Sequence, residues 1–312
     1  DDCAESETGL LVVVPPPSLT DIFPPAICRD TTHVITLLGE YFISNSVDES
    51  YKPSVNVSGT NITSSDIELA QYCRPMIPQV QGRPNITTCS AIDVTIEANN
   101  FGDLNQVTAT NPPPADCDTI DYAEFRVIPR PILSAASPPL SCPWYSDQTI
   151  TLLGRNFLQI DGNYSSINVD GVEASIFGQN NCETLSIKGH DLQLCEEIEF
   201  NLAQSSDYDV PFAPEVELVP LFLDDCAESE TGLLVVVPPP SLTDIFPFAL
   251  CENEIHQVDI TGEYLLRIGI PGQENTTNIR KPSITIGNFL VDPEDIEMLN
   301  CFPITPTVDQ YS

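Results

Sequence analysis

Asp1–Pro24, with the sequence DDCAESETGLLVVVPPPSLTDIFP, occurs a second time without a single change at Asp224–Pro247. The similarity continues past the identical block at the same offset, so that Cys28 matches Cys251. A repeat of this length is a whole structural unit, and internal repeats are typical of arrays built from like modules. The sequence therefore predicts a tandem array.

A weaker copy of the same design lies between these two. Three prolines each follow one cysteine by 14 positions and precede another by 11; they are Pro17, Pro131 and Pro240. This spacing predicts four segments: 1–16 as the closing strand of a preceding module, 17–130 as module 1, 131–239 as module 2, and 240–312 as the start of an incomplete module 3. We interpret the chain as a window cut from a longer repeating polypeptide.

The charge balance excludes one class of partner. The chain has 46 Asp and Glu against 11 Lys and Arg, which gives a net charge of -35. Nucleic-acid affinity depends on basic residues that contact phosphates, so we predict no nucleic-acid partner. No apolar stretch approaches the 18 or more residues of a membrane span, so this segment is predicted to make no membrane contact.

The eleven cysteines indicate disulfides. Four fall in each complete module: Cys28, Cys73, Cys89 and Cys117 in module 1, and Cys142, Cys182, Cys195 and Cys226 in module 2. The chain has no CxxC motif and no pair of histidines at metal-binding spacing. This pattern favours disulfides rather than a zinc site. Because disulfides form in oxidising compartments, we predict an extracellular or cell-surface location.

Short alternating runs predict strands throughout. Pro17–Pro24 alternates polar residues with Leu19 and Phe23, which are predicted to face inward. Ser54–Ser58 alternates in the same way. No segment has a convincing helical period, so the sequence predicts a string of antiparallel sandwiches with about seven short strands each.

Four motifs in this order resemble the IPT/TIG domain. In module 2 they are Pro131–Pro138, Ile150–Phe157, Ile167–Gly171 and Glu197–Ala203. The resemblance covers essentially the whole chain and implies an all-β fold of tandem immunoglobulin-like (IPT/TIG) β-sandwiches. Members of that family occur in cell-surface receptors such as plexins, in accessory modules of carbohydrate-active enzymes, in transcription factors, and in arrays of secreted or fibrous surface proteins. The DNA-binding branch would need a basic loop, which this acidic chain lacks.

The strand order implied by this resemblance suggests disulfide partners, although four cysteines allow three connectivities. In module 1, Cys28 in the first turn and Cys89 at the start of the sixth strand would lie at one end of the sandwich. Cys73, in the turn between the fourth and fifth strands, and Cys117, before the seventh strand, would lie at the opposite end. The resulting pairs are Cys28–Cys89, Cys73–Cys117, Cys142–Cys195 and Cys182–Cys226.

Five asparagines stand in N-glycosylation sequons: Asn56, Asn61, Asn85, Asn163 and Asn275. Asn56 is on the outward phase of its predicted strand, and the other four fall in predicted loops. Glycans at these positions would leave the core intact, so we expect covalent glycans. Unmodified surface asparagines are the alternative.

No constellation supports catalysis. His33 and His256 occupy the same module position, where module 2 has Gln148, and His190 stands alone in a predicted loop. We therefore predict no enzyme activity, no catalytic residue and no cofactor. Acidic clusters such as Asp116–Asp121 match no known calcium-loop spacing, so no metal site is predicted, with calcium bridging as the alternative to a solvated surface.

The leading hypothesis is a structural repeat module of an extracellular glycoprotein fibre or filament shaft, whose partners are neighbouring copies of the same repeat protein. The identical block spans the junction between modules, and a constant junction is what a regular polymer needs. The alternative is a set of spacer modules in a cell-surface receptor or adhesin ectodomain. An accessory carbohydrate-binding module is a third hypothesis, for which Trp144 is the only tryptophan.

Overall fold

The computed structural model describes residues 14–45, 52–69, 73–75, 86–113, 117–119, 121–143, 146–204, 211–252, 254–266 and 281–301. Within these ranges the regular structure consists of β-strands and short 3-10 turns. No helix in the described part of the chain is long and apolar enough to cross a bilayer. The protein is all-β, as predicted.

Module 1 forms a sandwich of two five-stranded sheets. Its strands are β1 (Ser18–Phe23), β2 (Ala26–Cys28), β3 (Thr32–Asn45), β4 (Ser54–Val57), β5 (Thr60–Asn61), β6 (Ile67–Leu69), β7 (Cys73–Pro75), β8 (Ile86–Glu97), β9 (Leu104–Thr110) and β10 (Ala123–Ile128). One sheet has the order β1-β3-β8-β6, with β7 also paired to β8, and the other has the order β2-β10-β9-β4-β5. This distribution of strands is that of an immunoglobulin-like sandwich.

The core of module 1 lies between the two sheets. Alternate residues of β3 and β8 face β4, β9 and β10, as the period of two requires. Phe42 and Phe125 are the largest fully buried side chains there. Apolar burial of this kind is the main source of stability for the sandwich.

Module 2 repeats this design with its two sheets joined. Its strands are β11 (Ile132–Ser137), β12 (Leu140–Ser141), β13 (Gln148–Ile160), β14 (Asn163–Tyr164), β15 (Ser166–Val169), β16 (Val172–Asn180), β17 (Glu183–Ile187), β18 (His190–Leu202), β19 (Glu215–Val219), β20 (Glu228–Thr231) and β21 (Val235–Val236). The beginning of β16 pairs with β15 and its end pairs with β18. This strand therefore links the two halves into one nine-stranded sheet.

Module 3 contributes β22 (Ser241–Phe246), β23 (Asp259–Glu263), β24 (Thr285–Ile286) and β25 (Phe289–Leu290) within its described residues. The pair β22–β23 has the register and the bulge of β1–β3. Burial differs, because Leu19 is 4 % exposed whereas its identical counterpart Leu242 is 62 % exposed. In the described part of module 3 no second sheet covers this pair.

The glycine of the repeated apolar run permits a close approach between the first two long strands. A methyl group on Gly39 would lie 1.9 Å from the carbonyl oxygen of Ser18, and one on Gly154 would lie 2.0 Å from that of Ile132. Gly262 is equally constrained. Any side chain would push the first strand away, which explains why all three copies have glycine.

We expect Gly39→Ala to destabilise module 1 by roughly 2 kcal/mol, because overpacking against backbone forces the strand to shift. Gly102→Ala is the matched control, since nothing lies within 4 Å of its added methyl group. The control should change stability by less than about 1 kcal/mol. Urea unfolding of both variants measures the difference, and equal midpoints would contradict the close-approach explanation.

A β-bulge in β1 changes which residues of the first strand face inward, so the predicted alternation is wrong after Leu19. Leu19 is buried as predicted, but Phe23 is 43 % exposed and Ile22 is buried instead. The register of β1 against β3 shifts between Leu19 and Asp21. Because a bulge inserts one extra residue, every later side chain of the strand changes face.

All four predicted disulfide pairings, Cys28–Cys89, Cys73–Cys117, Cys142–Cys195 and Cys182–Cys226, are wrong. The structure instead joins Cys28 to Cys226, Cys73 to Cys89, and Cys182 to Cys195. The predicted pairing of Cys73 with Cys117 assumed a turn at Cys73, where the structure has the short strand β7.

Two of the observed pairs are cross-strand bonds within a module. Cys73 lies in the short strand β7 and faces Cys89 of β8 directly, with their Cα atoms 4.0 Å apart. Cys182 comes just before β17 and bonds to Cys195 of β18, with a Cα separation of 3.9 Å. In each module a short edge strand thus brings one cysteine beside the cysteine of the long strand. The predicted strand order had a turn in place of this edge strand, so it did not allow these pairs.

Candidate functional site

The junction between modules 1 and 2 has its own apolar core. Module 1 contributes Ala26, Cys28 and Ile128, and module 2 contributes Leu158, Ile160, Leu192, Leu223 and Cys226. All eight are at most 3 % exposed. Two modules that share a buried cluster of this kind are held together by apolar burial as well as by the linker.

This core forms because β13 and β18 are apolar on both faces near the junction. Phe157 packs into the core of module 2, whereas its neighbour Leu158 points into the junction. Ile160 and Leu192 are opposite each other on adjacent strands and extend the same outward face. An isolated sandwich would expose this face, so it requires a neighbour.

A disulfide crosses the junction. Cys28 ends β2 in module 1, and Cys226 lies just before β20 in module 2. Both cysteines are fully buried, and their Cα atoms are 6.1 Å apart. The two modules are therefore joined covalently at a second point besides the main-chain linker.

Lys188 makes the main polar contact across the junction. It lies in the turn between β17 and β18, and its Nζ is 2.6 Å from Oδ1 of Asp121 and donates to the carbonyl oxygen of Tyr122 at 2.8 Å. Its backbone N–H donates to Oε2 of Glu124 at 2.9 Å. The hydrogen bond from Lys188, together with that from the backbone N–H of Tyr122, lowers the pKa of Asp121. One of only 11 Lys and Arg residues in the chain is thus placed at the junction.

His190 forms a bridge between carboxylates of the two modules. Its Nε2 is 3.0 Å from Oδ1 of Asp21 in module 1, and its Nδ1 is 2.7 Å from Oδ2 of Asp161 in module 2. Burial by itself would lower the pKa of His190, but the hydrogen bonds with Asp161 and Asp21 outweigh it and raise the pKa. This histidine begins β18 and does not lie in a loop, which corrects the prediction from the sequence.

We expect the junction to lose stability as the pH rises through the folded pKa of His190. A raised pKa means that the protonated form stabilises the folded state fully below the ordinary value of 6.5. For Asp161 the sign is opposite, because the hydrogen bonds from the backbone N–H of Asp191 and from His190 lower its pKa. Its contribution is present above 3.8 and is lost in more acidic solution.

His190→Gln tests this expectation. The wild type should gain roughly 1 kcal/mol over the variant between pH 8 and pH 5.5, after allowance for solvent screening of the half-exposed aspartates. The difference between the two proteins is the measurement, since 46 acidic residues give both of them a common pH dependence. Calorimetry that shows parallel profiles would contradict the bridging role.

The identical block contributes to both sides of this junction. Asp21 and Phe23 come from the first copy, and Cys226 comes from the second. Phe23 packs edge-on against Phe222 of module 2, with ring centroids 4.7 Å apart. This contact explains why the side chain of Phe23 points away from the core of module 1. The apolar core and the disulfide of this junction were not predicted from the sequence, although the uninterrupted apolar pair Phe157 and Leu158 was a signal for the core.

Three of the predicted glycosylation sites lie among the described residues, two in module 1 and one in module 2. Asn61 and Asn163 are exposed in short strands, and Asn56 is half-buried, with its Nδ2 donating to Oδ1 of Asn61 at 2.8 Å. Asn85 and Asn275 lie outside the described residues, as does Trp144. Asn56 and Asn61 are therefore neighbours on module 1, whereas Asn163 lies on module 2.

His33 is a buried residue whose side chain contacts neighbouring residues of module 1. Its Nε2 accepts a hydrogen bond from the backbone N–H of Cys28 at 3.2 Å and also contacts the hydroxyl of Thr31. Burial lowers the pKa of His33, and Asp225 of module 2 partly opposes that shift. In the described ranges no group of three or more His, Cys, Asp or Glu residues converges in a way that could hold a metal ion.

No family model matches the chain, and no curated protein matches it. Solved structures with a similar fold include the extracellular region of plexin A4, domains 1 to 8, at 13 % identity and a TM-score of 0.32. That match covers 72 % of this chain, which spans only 18 % of the plexin region. The I9–I11 tandem from titin matches at 12 % identity and a TM-score of 0.22, covering 74 % of this chain and 67 % of the tandem. Murine CEACAM1b matches at 9 % identity and a TM-score of 0.20, covering 71 % of this chain and all of that one.

Proposed function

We propose that this chain is a non-catalytic structural segment of an extracellular glycoprotein fibre, in which immunoglobulin-like modules form the shaft. The observation that supports it is the junction between modules 1 and 2. A fibre shaft needs a fixed angle between neighbours, and an apolar core, a disulfide and ion pairs together restrain that angle. Neighbouring modules in one chain move relative to each other unless the interface between them is large and hydrophobic.

The linker itself is restrained. Pro129, Arg130 and Pro131 connect the two sandwiches, and prolines stiffen short linkers. Asn156 of module 2 donates from Nδ2 to the carbonyl oxygen of Arg130 at 2.8 Å. This contact fixes the middle of the linker to the module that follows it.

The disulfides support an extracellular location. Disulfides persist in oxidising compartments and are rare where glutathione and thioredoxin keep thiols reduced. Three are present among the described residues: one crosses the junction, and modules 1 and 2 each hold one at the corresponding place. Glycans on the exposed Asn61 and Asn163, and on the other sequons, complete the proposal; mass spectrometry that finds bare peptide at all five sites would remove this part of it.

Neighbouring copies of the repeat are the proposed partners. Cys142 occupies the place in module 2 that Cys28 occupies in module 1, directly after a short strand paired in parallel with the closing strand. Among the described residues Cys142 forms no disulfide. In a longer array we expect it to bond to the closing cysteine of the next module, as Cys28 does, and peptide mapping of the native protein under non-reducing conditions tests this.

Electron microscopy of the native secreted material tests the proposal. Long filaments with an axial repeat of one or two modules would support a fibre shaft. Dispersed short particles, each ending in a distinct domain, would contradict it. That outcome would favour the alternative, in which the modules are spacers of a cell-surface receptor or adhesin.

A further inference from the structure

The Cys28–Cys226 disulfide closes a covalent loop around nearly all of modules 1 and 2. The two cysteines are separated by 198 positions in sequence, yet their Cα atoms are 6.1 Å apart. Only β1 and β2 precede the loop in module 1, and only β20 and β21 follow it in module 2. The main chain therefore enters and leaves this two-module unit at points that one bond joins.

This arrangement determines how tension passes through the unit. A pull on the chain from its two ends loads β1 first and reaches Cys28. From there the shortest covalent path to the far side of module 2 is the bond to Cys226, rather than the main chain between them. A covalent bond keeps its length under forces that separate hydrogen-bonded strands, so the residues inside the loop carry no load.

We propose that the Cys28–Cys226 disulfide is a tension bypass, which carries an axial pull past both sandwiches and leaves the main chain between the two cysteines unloaded. The inference deepens the proposed function, because a bypass of this kind is useful to a shaft that bears axial load.

The loaded elements are few. A pull can detach β1 from β3, β2 from β10, β20 from β19, and β21 from β12. Full extension of these short segments, residues 14–28 and 226–237, adds about 10 nm at roughly 3.5 Å per residue. The cores of the two sandwiches lie almost wholly between Cys28 and Cys226.

Burial protects the bond. Both cysteines are fully buried beside Ile128, Leu158 and Leu192. Thiol–disulfide exchange requires a thiolate to reach one of the sulfur atoms, so a soluble thiol is kept out while the junction is intact. The Cys28–Cys226 disulfide is therefore protected from reduction until β1 or β20 is pulled away.

Single-molecule force spectroscopy of the full chain, held by peptide tags at its two ends, tests the proposal. The wild type should lengthen by only about 10 nm from modules 1 and 2. Cys28→Ser/Cys226→Ser should lengthen by about 60 nm more, because the loop is released except for the short loops inside the other two disulfides. The contribution of residues 240–312 is the same in both proteins.

Cys73→Ser/Cys89→Ser is the matched control. These cysteines lie inside the loop, so their removal should leave the extended length of the oxidised wild type unchanged. A wild type that itself releases about 60 nm would overturn the proposal. So would a control variant that lengthens.

A second measurement covers the case in which the double variant does not fold. Wild type held at constant force in a soluble thiol should release a step of about 60 nm once the bond is reduced, and no such step without thiol. A thiol-independent step would overturn the bypass. If native material contains no filaments but the wild type resists extension, only the assignment to a shaft is removed.

Discussion

Replacing Cys28 and Cys226 by serine is expected to lower the free energy of unfolding by about 5 kcal/mol, the largest effect of any change described for this chain. The chain-entropy model gives this magnitude because the bond closes a loop with a sequence separation of 198. Both serines would also be buried in an apolar cluster. Urea unfolding followed by circular dichroism, with wild type and variant at the same pH, measures the change.

The short disulfide of module 1 provides the comparison. Cys73→Ser/Cys89→Ser opens a loop with a sequence separation of 16, for which the same model gives about 3 kcal/mol. Hydrogen exchange should localise this loss to module 1, whereas the loss of the junction bond should affect both modules. An unchanged midpoint in the junction variant, with the bond verified in the wild type, would contradict the expected result.

Phe157→Ala should destabilise module 2 by about 4 kcal/mol. The ring is fully buried, opposite Cys195 on the adjacent strand, and packs over Gly154. Truncation leaves a cavity that the rigid sheets fill only in part, so the lost transfer energy and the cavity add. Thermal unfolding should show an earlier transition for module 2.

Phe177→Ala serves as the control for Phe157→Ala. Phe177 is in β16 of the same module and is 49 % exposed, so its truncation should cost less than about 1 kcal/mol. Hydrogen exchange of module 1 should be little changed by either variant away from the junction. Equal losses from the two truncations would mean that the core of module 2 lies elsewhere.

The repeated first strand shows how much local sequence determines. Residues 18–23 and 241–246 are identical, and both form strands with the same register and bulge. Their burial differs because it depends on a second sheet packed over the strand, and in the described residues of module 3 no sheet covers β22, since Leu242 is exposed. Strand formation was therefore predictable from the repeat, whereas the bulge that moves Phe23 outward was not, since alternation alone assumes an uninterrupted strand.

The junction disulfide could not be predicted from one module at a time, whereas the other two disulfides lie within a module and were missed because the short strands that place their cysteines were not predicted. Assigning four cysteines to each module assumes that partners lie within it, and Cys28 and Cys226 violate that assumption across 198 positions. The junction itself left a clearer signal. Leu158 and Ile160 of β13 and Leu192 of β18 form a contiguous apolar patch on the outward face, and such a patch indicates a covered surface.

The identity of β1 and β22 has a consequence for refolding. Both strands carry the sequence SLTDIF, and each pairs through the same register with a following strand that has glycine at the same place. No side chain distinguishes the two, so β22 fits the edge of β3 as well as β1 does. Only the short connection from β1 to β3 gives the correct strand its higher effective concentration. Fidelity of assembly in this array thus rests on chain connectivity rather than on chemical complementarity, and strand exchange between chains is the error it has to avoid.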